Sequence, residues 1–286
     1  MQSIKDGMNA LKKELFFTVG ECPECGAPLL MWRHTKPDGS QRGEPTCEVC
    51  GFKSMNQKQK DEVNKRFSEG SKQRILSYFE NKSVVTDKEL FKSSFKSFKV
   101  VDQETKIAKE KVKTFLNSIL LGKPTHLILA GKSGSGKSHL AMATAKHFIY
   151  QSGYSKKVLF INYRELLEQM KFAFIDEKAR REIQGDLMKE IKRADLVVLD
   201  DLGAELGGSS AGNSTTYNND VLYSILEARQ NAATVFTTNL DNEELRKSYG
   251  NRIFSRLVKH SQGFTIKFTK TKDKRIVPIE EGKMFD

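Results

Sequence analysis

The sequence predicts an α/β fold in which a parallel sheet is covered by helices, preceded by a small metal-binding module. Three observations lead to this prediction. Short apolar runs alternate with helical patterns from about residue 91 onward, which is the arrangement of parallel sheets. A glycine-rich phosphate-binding motif lies between one of these strands and the next helix. All four cysteines occur in two Cys-x-x-Cys pairs near the N-terminus, which is typical of a zinc site.

Length and composition limit the possible classes of protein. The 286 residues suit one or two domains, and a hydrophobic fraction of 38% is typical of a soluble chain. No apolar run approaches a bilayer span, and the N-terminus lacks a signal-peptide core. We therefore expect a cytoplasmic protein with no membrane partner. A net charge of +12 indicates an anionic partner, most commonly nucleic acid, although a solvated basic surface would carry the same charge.

The N-terminal module begins with a predicted helix. Ile4, Met8, Leu11 and Leu15 stand at helical spacing, which predicts a short amphipathic helix that covers the next module or docks a partner. The cysteine pairs follow as Cys22-Pro-Glu-Cys25 and Cys47-Glu-Val-Cys50.

The two cysteine pairs predict a structural zinc ribbon. Each pair can form a knuckle that directs two thiolates at one metal, and two knuckles complete a tetrahedral site for Zn²⁺. Disulfides are the alternative, but nothing marks the chain as secreted, and a redox site of the thioredoxin type needs no second pair. Such ribbons bind nucleic acid or protein, and Trp32, Arg33, His34 and Lys36 follow the first knuckle.

The phosphate-binding motif fits G-x-x-x-x-G-K-[ST] at every fixed position. It follows a predicted strand, His126 to Ala130, and precedes a predicted helix, a context that argues against a turn that binds nothing. Its backbone N–H groups would bind phosphate, Lys137 the β and γ phosphates, and Ser138 Mg²⁺. The motif residues are Gly131, Lys132, Ser133, Gly134, Ser135, Gly136, Lys137 and Ser138.

Two later strands end in polar residues. The apolar run Ala194 to Leu199 leads into Asp200 and Asp201, the Walker B counterpart of the phosphate loop. Asp200 would hold Mg²⁺, and Asp201 would orient or activate the attacking water. Many ATPases of this kind have Glu at the second position, so the shorter Asp201 bears on the hydrolysis rate. The strand Thr234 to Thr238 ends at Asn239. Its side chain would reach the γ-phosphate or the attacking water, the sensor position of such ATPases, although Asn at a strand end is also common in turns.

These motifs together resemble a known family. GKSGSGKS, ADLVVLDDLGAE, TVFTTNL and NRIFSRL occur in this order, as in the AAA+ replicative helicase loaders of bacteria and phages of the DnaC and DnaI type, with the transposition ATPase IstB a close relative. The resemblance covers roughly residues 91–275. The N-terminal cysteine module also resembles the arrangement of DnaI. From the cysteine pairs, the composition and these motifs we predict three segments, namely a zinc-binding domain (1–56), a helical and basic linker (57–90) and an AAA+ ATPase domain (91–286).

The resemblance also implies residue roles. Arg256 matches the arginine finger that completes the ATP site of a neighbouring subunit, with Arg252 on the same helix face. Arg275 or Lys274 matches a second-sensor cation. Phe174 falls in the helical insert that lines the single-stranded DNA path in this clade, although a core aromatic is the alternative. Ser214, Thr216 and Tyr217 fall in another DNA-facing segment.

The function implied is an ATP-dependent loader that places a hexameric replicative helicase of the DnaB type on single-stranded DNA. It would bind ATP, Mg²⁺ and Zn²⁺ and form a homo-oligomer with ATP. A transposition target-selection ATPase is the alternative. A small-molecule P-loop kinase would leave the cysteines, the basic charge and Arg256 unexplained, and a zinc-ribbon DNA-binding regulator would leave the ATP motifs without a use.

Overall fold

The computed structural model describes residues 2–51, 54–173, 177–207 and 216–274. The chain forms two compact units, Met1–Gly70 and Ser71–Asp286, and the division falls inside the segment predicted as a linker. Within the described part of the chain, no helix is both long enough and apolar enough to cross a membrane.

The first unit contains helix α1 (Gln2–Leu15) and a three-stranded antiparallel sheet of β1 (Phe16–Glu21), β2 (Pro28–Trp32) and β3 (Thr46–Cys47). Phe16 pairs with Trp32, and their ring centroids lie 4.4 Å apart. Helix α1 forms as predicted. The side chains of Met8 and Leu11 are 67% and 57% exposed, so these two residues do not cover the module, which was one of the two roles predicted for the helix.

Helix α2 spans Ser54–Lys82, which includes most of the predicted linker. Ile75, Leu76 and Phe79 pack against the core of the second unit. Residues 71–90 thus fold with the second unit, whose start the sequence placed at residue 91.

The second unit is built on a five-stranded sheet in the order β5-β6-β7-β4-β8, with every neighbouring pair parallel. This confirms the predicted parallel sheet. The edge strand β8 is an addition that the sequence patterns did not predict. The strands are β4 (His126–Gly131), β5 (Val158–Asn162), β6 (Leu196–Leu202), β7 (Ala233–Thr238) and β8 (Thr265–Phe268).

Helices cover both faces of this sheet. Successive side chains of a strand point to opposite faces, and in β4 Leu127 and Leu129 pack on one face while Ile128 packs on the other. Helices α3 (Gln103–Leu120) and α4 (Lys137–Gln151) cover the first face. The opposite face is covered by α5 (Tyr163–Phe172), α7 (Met188–Arg193), α8 (Thr216–Ala228) and α9 (Asn242–Val258).

Short helical segments complete the unit. They are a 3₁₀ turn at Lys88–Lys92, helix α6 (Glu177–Arg180), a π-helical stretch at Arg181–Leu187 and a 3₁₀ turn at Ala204–Leu206. The π-helical stretch joins α6 to α7. Helix α9 is broken at Gly250, whose φ and ψ are 78° and 164°.

The carboxyl ends of parallel strands meet at one edge of a sheet, where such folds bind ligands. β4 ends at the phosphate loop, β6 contains Asp200 and Asp201 near its end, and Asn239 follows β7. The strand order places β6, β7 and β4 side by side, so these residues lie together.

Candidate functional site

The first unit brings its four cysteines together. All four Sγ atoms lie within 4.8 Å of one another, and none forms a disulfide. Cys22 Sγ is 3.5 Å from Cys50 Sγ, and Cys25 Sγ is 3.6 Å from Cys47 Sγ. Each pair lies in a tight turn, because the N–H of Gly26 donates to the carbonyl of Cys22 and that of Gly51 to the carbonyl of Cys47.

This geometry fits a tetrahedral metal. Thiolates bound to Zn²⁺ at about 2.3 Å would be about 3.8 Å apart, close to the two sulfur distances above. Hydrogen bonds, first of all from the backbone N–H of Cys50, lower the pKa of the Cys47 thiol to about 7, which favours the thiolate form that binds metal. Cys22, Cys25, Cys47 and Cys50 are therefore compatible with a zinc ribbon.

The second unit has a cavity of about 770 Å³ at the edge where the strands end. A cavity of this volume is in the range of small-molecule and cofactor sites. Ser135 of the phosphate loop is fully buried, and its hydroxyl donates to the carbonyl of Lys132 at 2.9 Å. The predicted residues that line the cavity are Ser133, Gly134, Gly136, Lys137, Ser138, Asp200, Asp201, Asn239 and Lys274.

The Lys137 ammonium is held by oxygen atoms of the protein. It donates to the carbonyl of Gly131 at 2.6 Å, to the carbonyl of Lys132 at 2.9 Å and to Oδ1 of Asn239 at 2.7 Å. The side chain is only 6% exposed. A buried ammonium surrounded by oxygen acceptors is placed to exchange some of them for phosphate oxygens.

Asp200 is buried and adjoins the start of α4. Thr237 Oγ1 donates to its carboxylate at 2.7 Å, and the Ser138 hydroxyl also forms a hydrogen bond with it. Burial, with a smaller contribution from Asp201, raises the pKa of Asp200 to about 6 against these hydrogen bonds. A buried carboxylate beside a hydroxyl supplies the oxygen ligands that Mg²⁺ prefers, so the pair fits this ion.

Asp201 and Asn239 lie next to each other. Asn239 Nδ2 is 3.3 Å from Asp201 Oδ1. Asp201 has a φ of 60°, which is uncommon for a residue other than glycine. Its N–H donates to Thr237 Oγ1 at 2.8 Å, so Thr237 contacts both acidic residues. Asn239 thereby links Asp201 to Lys137.

Several cavity residues were missed by the sequence patterns. Asn162 is the last residue of β5 and caps α5 by accepting the N–H of Glu165 at 3.0 Å. Phe98 lies under the Lys274 ammonium, 4.0 Å from ring centroid to Nζ. Asn162 could have been found, because it is a polar residue at the end of an apolar strand. Phe98 lies in a Lys- and Ser-rich stretch in which no motif indicates a nucleotide site. Thr86, Asp87, Leu90, Ser97, Lys99 and His139 also line the cavity.

Arg252 and Arg256 of α9 do not line this cavity. Arg256 Nε donates to Glu227 Oε2 at 2.7 Å. Both guanidinium groups stack on Tyr223, with Arg252 Cζ at 4.0 Å and Arg256 Cζ at 4.5 Å from the ring centroid. Both also donate to the Tyr223 hydroxyl, at 2.6 and 3.0 Å. Arg256 is thus on the surface of α9, held against α8.

The predicted DNA-facing residues have different outcomes. Tyr217 packs against the apolar core and is partly buried, which leaves less of its ring for stacking. Phe172, at the end of α5, is 74% exposed and was not among the predicted residues. Thr216 is exposed at the start of α8. Phe174, Ser214 and Arg275 lie outside the described residues.

Comparisons with known proteins agree on the type of domain. The family model for the IstB-like ATP binding protein matches residues 90–275, which is more than half of the chain. The replicative helicase loader DnaC of Escherichia coli strain K12 is 25% identical over 166 residues, 57% of this chain and 62% of its own length. The match therefore spans less than two thirds of that relative.

Two crystal structures share the fold. That of the DnaC helicase loader aligns with a TM-score of 0.52 at 19% identity and covers 64% of this chain and 99% of its own. That of DnaI aligns with a TM-score of 0.51 at 23% identity and covers 65% and 95% of the two chains. At these identities the likeness concerns the fold, and it confirms the predicted α/β fold with a parallel sheet covered by helices.

Proposed function

The chain belongs to the family of IstB-like ATP binding proteins, and from this membership we propose that it is an ATP-dependent loader of a hexameric replicative helicase onto single-stranded DNA. The observation that carries the proposal is the similarity to the DnaC loader over 166 residues. The four-cysteine site supports it, because the resemblance to DnaI includes a zinc module.

The cavity supports binding of ATP with Mg²⁺. The loop from Gly131 to Ser138 would hold the phosphates through backbone N–H groups, and Lys137 would exchange Asn239 and carbonyl oxygens for phosphate oxygens. Ser138 and Asp200 would hold Mg²⁺, which would neutralise charge on the β and γ phosphates.

We propose that Asp201 and Asn239, which lie beside Lys137, take part in ATP hydrolysis. Asp201 would orient or activate the attacking water, and Asn239, which already contacts Asp201 and Lys137, would sense the γ-phosphate. Asn239 is the side chain that joins the phosphate-binding lysine to the acid that handles water. The enzyme activity proposed is therefore ATP hydrolysis coupled to helicase loading.

A second subunit is proposed to complete the ATP site. Arg256 is partly exposed on α9 and does not line the cavity of its own chain. A guanidinium that reaches a neighbour's γ-phosphate would stabilise charge in the transition state. This requires an ATP-dependent homo-oligomer.

The distribution of charge suggests how the two units divide their partners. Residues 1–51 contain six Lys or Arg and seven Asp or Glu, so the excess of +12 comes entirely from the rest of the chain. Nucleic-acid binding depends on such an excess of positive charge. We therefore assign DNA to the ATPase domain and the helicase to the zinc ribbon.

A transposition target-selection ATPase is the second candidate, because the matching family model is that of the IstB-like proteins. It shares ATP and DNA binding but addresses a transposase in place of a helicase. Affinity for single-stranded over double-stranded DNA separates the two candidates.

Co-purification tests the proposal. The full chain is mixed with the purified hexameric helicase of the same cell, with an ATP analogue or without nucleotide, and the mixture is separated by gel filtration. Co-elution of chain and helicase is the expected result. Elution of the two proteins as separate peaks in both conditions would contradict the helicase assignment.

A further inference from the structure

One carboxylate binds a segment that is distant in the sequence. Glu104, in the first turn of α3, accepts the N–H groups of Thr269, Lys270 and Thr271 at 3.0 to 3.2 Å. It also accepts the hydroxyls of Thr269 at 2.6 Å and Thr271 at 2.9 Å. Three consecutive N–H groups and two hydroxyls therefore converge on one side chain.

These hydrogen bonds favour the charged form of Glu104. Burial by itself would raise the pKa, but hydrogen bonds from Thr269 and Thr271 and from the backbone outweigh it and lower the pKa to about 2. The carboxylate is therefore ionised at neutral pH, and charged acceptors form the stronger hydrogen bonds.

The segment held by Glu104, residues 269–274, is called the strap below. It follows β8 and runs over the phosphate loop. The N–H of Lys274 donates to the carbonyl of Gly134 at 3.1 Å. The approach is close, because a Cβ on Gly134 would overlap the carboxylate of Asp273. A Cβ on Gly131 would likewise overlap the backbone of Phe268, just before the strap.

The strap explains a glycine that the phosphate-binding pattern does not require. The pattern fixes Gly131 and Gly136 but leaves position 134 open. Gly134 has a φ of 75°, which favours glycine, and the space of a side chain is taken by Asp273. The phosphate loop is thus fitted to the strap at this position.

The strap also places a cation in the cavity. Lys274 lines the cavity, and its Nζ donates to the carbonyl of Lys99 at 2.9 Å above the ring of Phe98. The same Nζ would be 3.1 Å from a Cβ on Gly136. When the strap is anchored, it therefore holds the phosphate loop at Gly134 and also fixes the position of the Lys274 ammonium.

We propose that Glu104 is a positioning residue for the nucleotide site, which it supports by anchoring the strap against the phosphate loop. Glu104 is not among the residues that line the cavity, so its effect passes through residues 269–274. The proposal rests on the proposed nucleotide-binding function and adds to it a residue that no ATP motif contains.

Reciprocity follows from this coupling. If the strap stabilises the loop conformation that binds phosphate, bound nucleotide must stabilise the strap by the same factor. The amides of Thr269, Lys270 and Thr271 should then exchange hydrogen more slowly when nucleotide is bound. A carboxylate that only stabilises the fold would leave these amides no more protected by nucleotide than amides elsewhere in the second unit.

The test combines Glu104→Gln with hydrogen exchange. Glutamine has a similar shape but lacks the charge, and its NH₂ group cannot accept the strap's N–H groups. We expect the Kd for fluorescent ATP and ADP to rise about tenfold, within the usual range of coupling between sites. The control is Glu110→Gln, which removes an exposed carboxylate from the same helix and should leave both Kd values unchanged.

Exchange of residues 269–271 in wild-type protein, with and without ADP, gives a second result that does not depend on a variant. We expect these amides to exchange hydrogen more slowly when ADP is bound. In the Glu104→Gln variant we expect them to exchange faster than in the wild type. Unchanged Kd values for a folded Glu104→Gln variant, or protection of these wild-type amides by ADP that is no greater than elsewhere in the second unit, would overturn the inference while leaving ATP binding intact. Failure of the wild type to bind either nucleotide would overturn the proposed function as well.

Discussion

The Nζ atom of Lys137 lies 2.7 Å from Oδ1 of Asn239, although 102 residues separate them in the chain. Asn239 also contacts Asp201 at 3.3 Å. The side chain that would bind the β and γ phosphates is therefore already connected to the one that would handle water. Nucleotide must compete with Asn239 for Lys137, which gives the first prediction its basis.

Lys137→Ala should weaken ATP binding while the fold survives. Hydrogen bonds to charged groups contribute about 1.5 to 3 kcal/mol, so the Kd for ATP should rise about 10- to 100-fold. Isothermal titration calorimetry measures it, with Lys189→Ala, an exposed lysine of α7, as the control. An unchanged Kd for Lys137→Ala would contradict the phosphate-site assignment.

Arg256→Ala should bind ATP normally yet lose hydrolysis. Arginine fingers of GTPases are worth about 10³ to 10⁵ in rate, and Arg256 is held by Glu227 outside its own cavity. Steady-state release of phosphate is the measurement, and Arg246→Ala, an exposed arginine of α9, should retain activity.

Mixing variants tests whether the finger acts between subunits. Arg256→Ala mixed with Lys137→Ala forms some interfaces that pair an intact loop with an intact finger, so partial recovery of hydrolysis is expected. No recovery at any mixing ratio would assign Arg256 to a role within its own chain.

The ribbon should contain about one Zn²⁺ per chain, as expected for four thiolates at one site. Because metal binding and folding of such modules are coupled, the double variant Cys22→Ser/Cys25→Ser should lose zinc and helicase capture while ATP binding is retained. Elemental analysis and nucleotide titration measure these effects. Protein without zinc, or a variant that still captures helicase, would refute the assignment.

If the proposed ATP-dependent oligomer is a spiral whose helical inserts contact one strand, single-stranded DNA should bind more tightly with an ATP analogue than with ADP. Affinity should fall steeply with salt as counterions are released. Phe172→Ala should weaken the binding of single-stranded DNA by about 1 to 3 kcal/mol if the exposed ring stacks on a base. Tyr217→Ala should weaken it less, because the Tyr217 ring packs on the core.

Fluorescence anisotropy with labelled single-stranded and double-stranded DNA measures both effects. Tyr150→Ala removes a ring from α4 that is 66% exposed and serves as the control. Equal affinity in the two nucleotide states, or a preference for duplex, would favour the transposition ATPase.

The nucleotide site was predictable from sequence because its residues follow buried strands. Asp200, Asp201 and Asn239 are each adjacent to an apolar run, and the parallel arrangement of strands brings such ends together. The cysteine cluster was predictable for a similar reason, since the spacing within each pair defines a local turn.

Features that depend on tertiary contacts were not predictable. Strand β8 has four residues with an exposed Lys267 in its pattern, and it forms because β4 offers an edge. Helix α2 is largely polar and has no strong apolar stripe, so it was predicted as a linker. The strap begins 165 residues after Glu104 in the sequence, and a contact between such distant segments leaves no local sequence pattern.

Helicase loading itself is the most direct test of the proposed function. Purified hexameric helicase is incubated with a closed circular single strand, an ATP analogue and the chain, and DNA-bound helicase is separated by gel filtration. We predict that wild-type protein raises the fraction of helicase on the circle and that Lys137→Ala does not. A fraction equal to that of helicase alone, with wild-type protein in every nucleotide state, would contradict the assignment as a helicase loader.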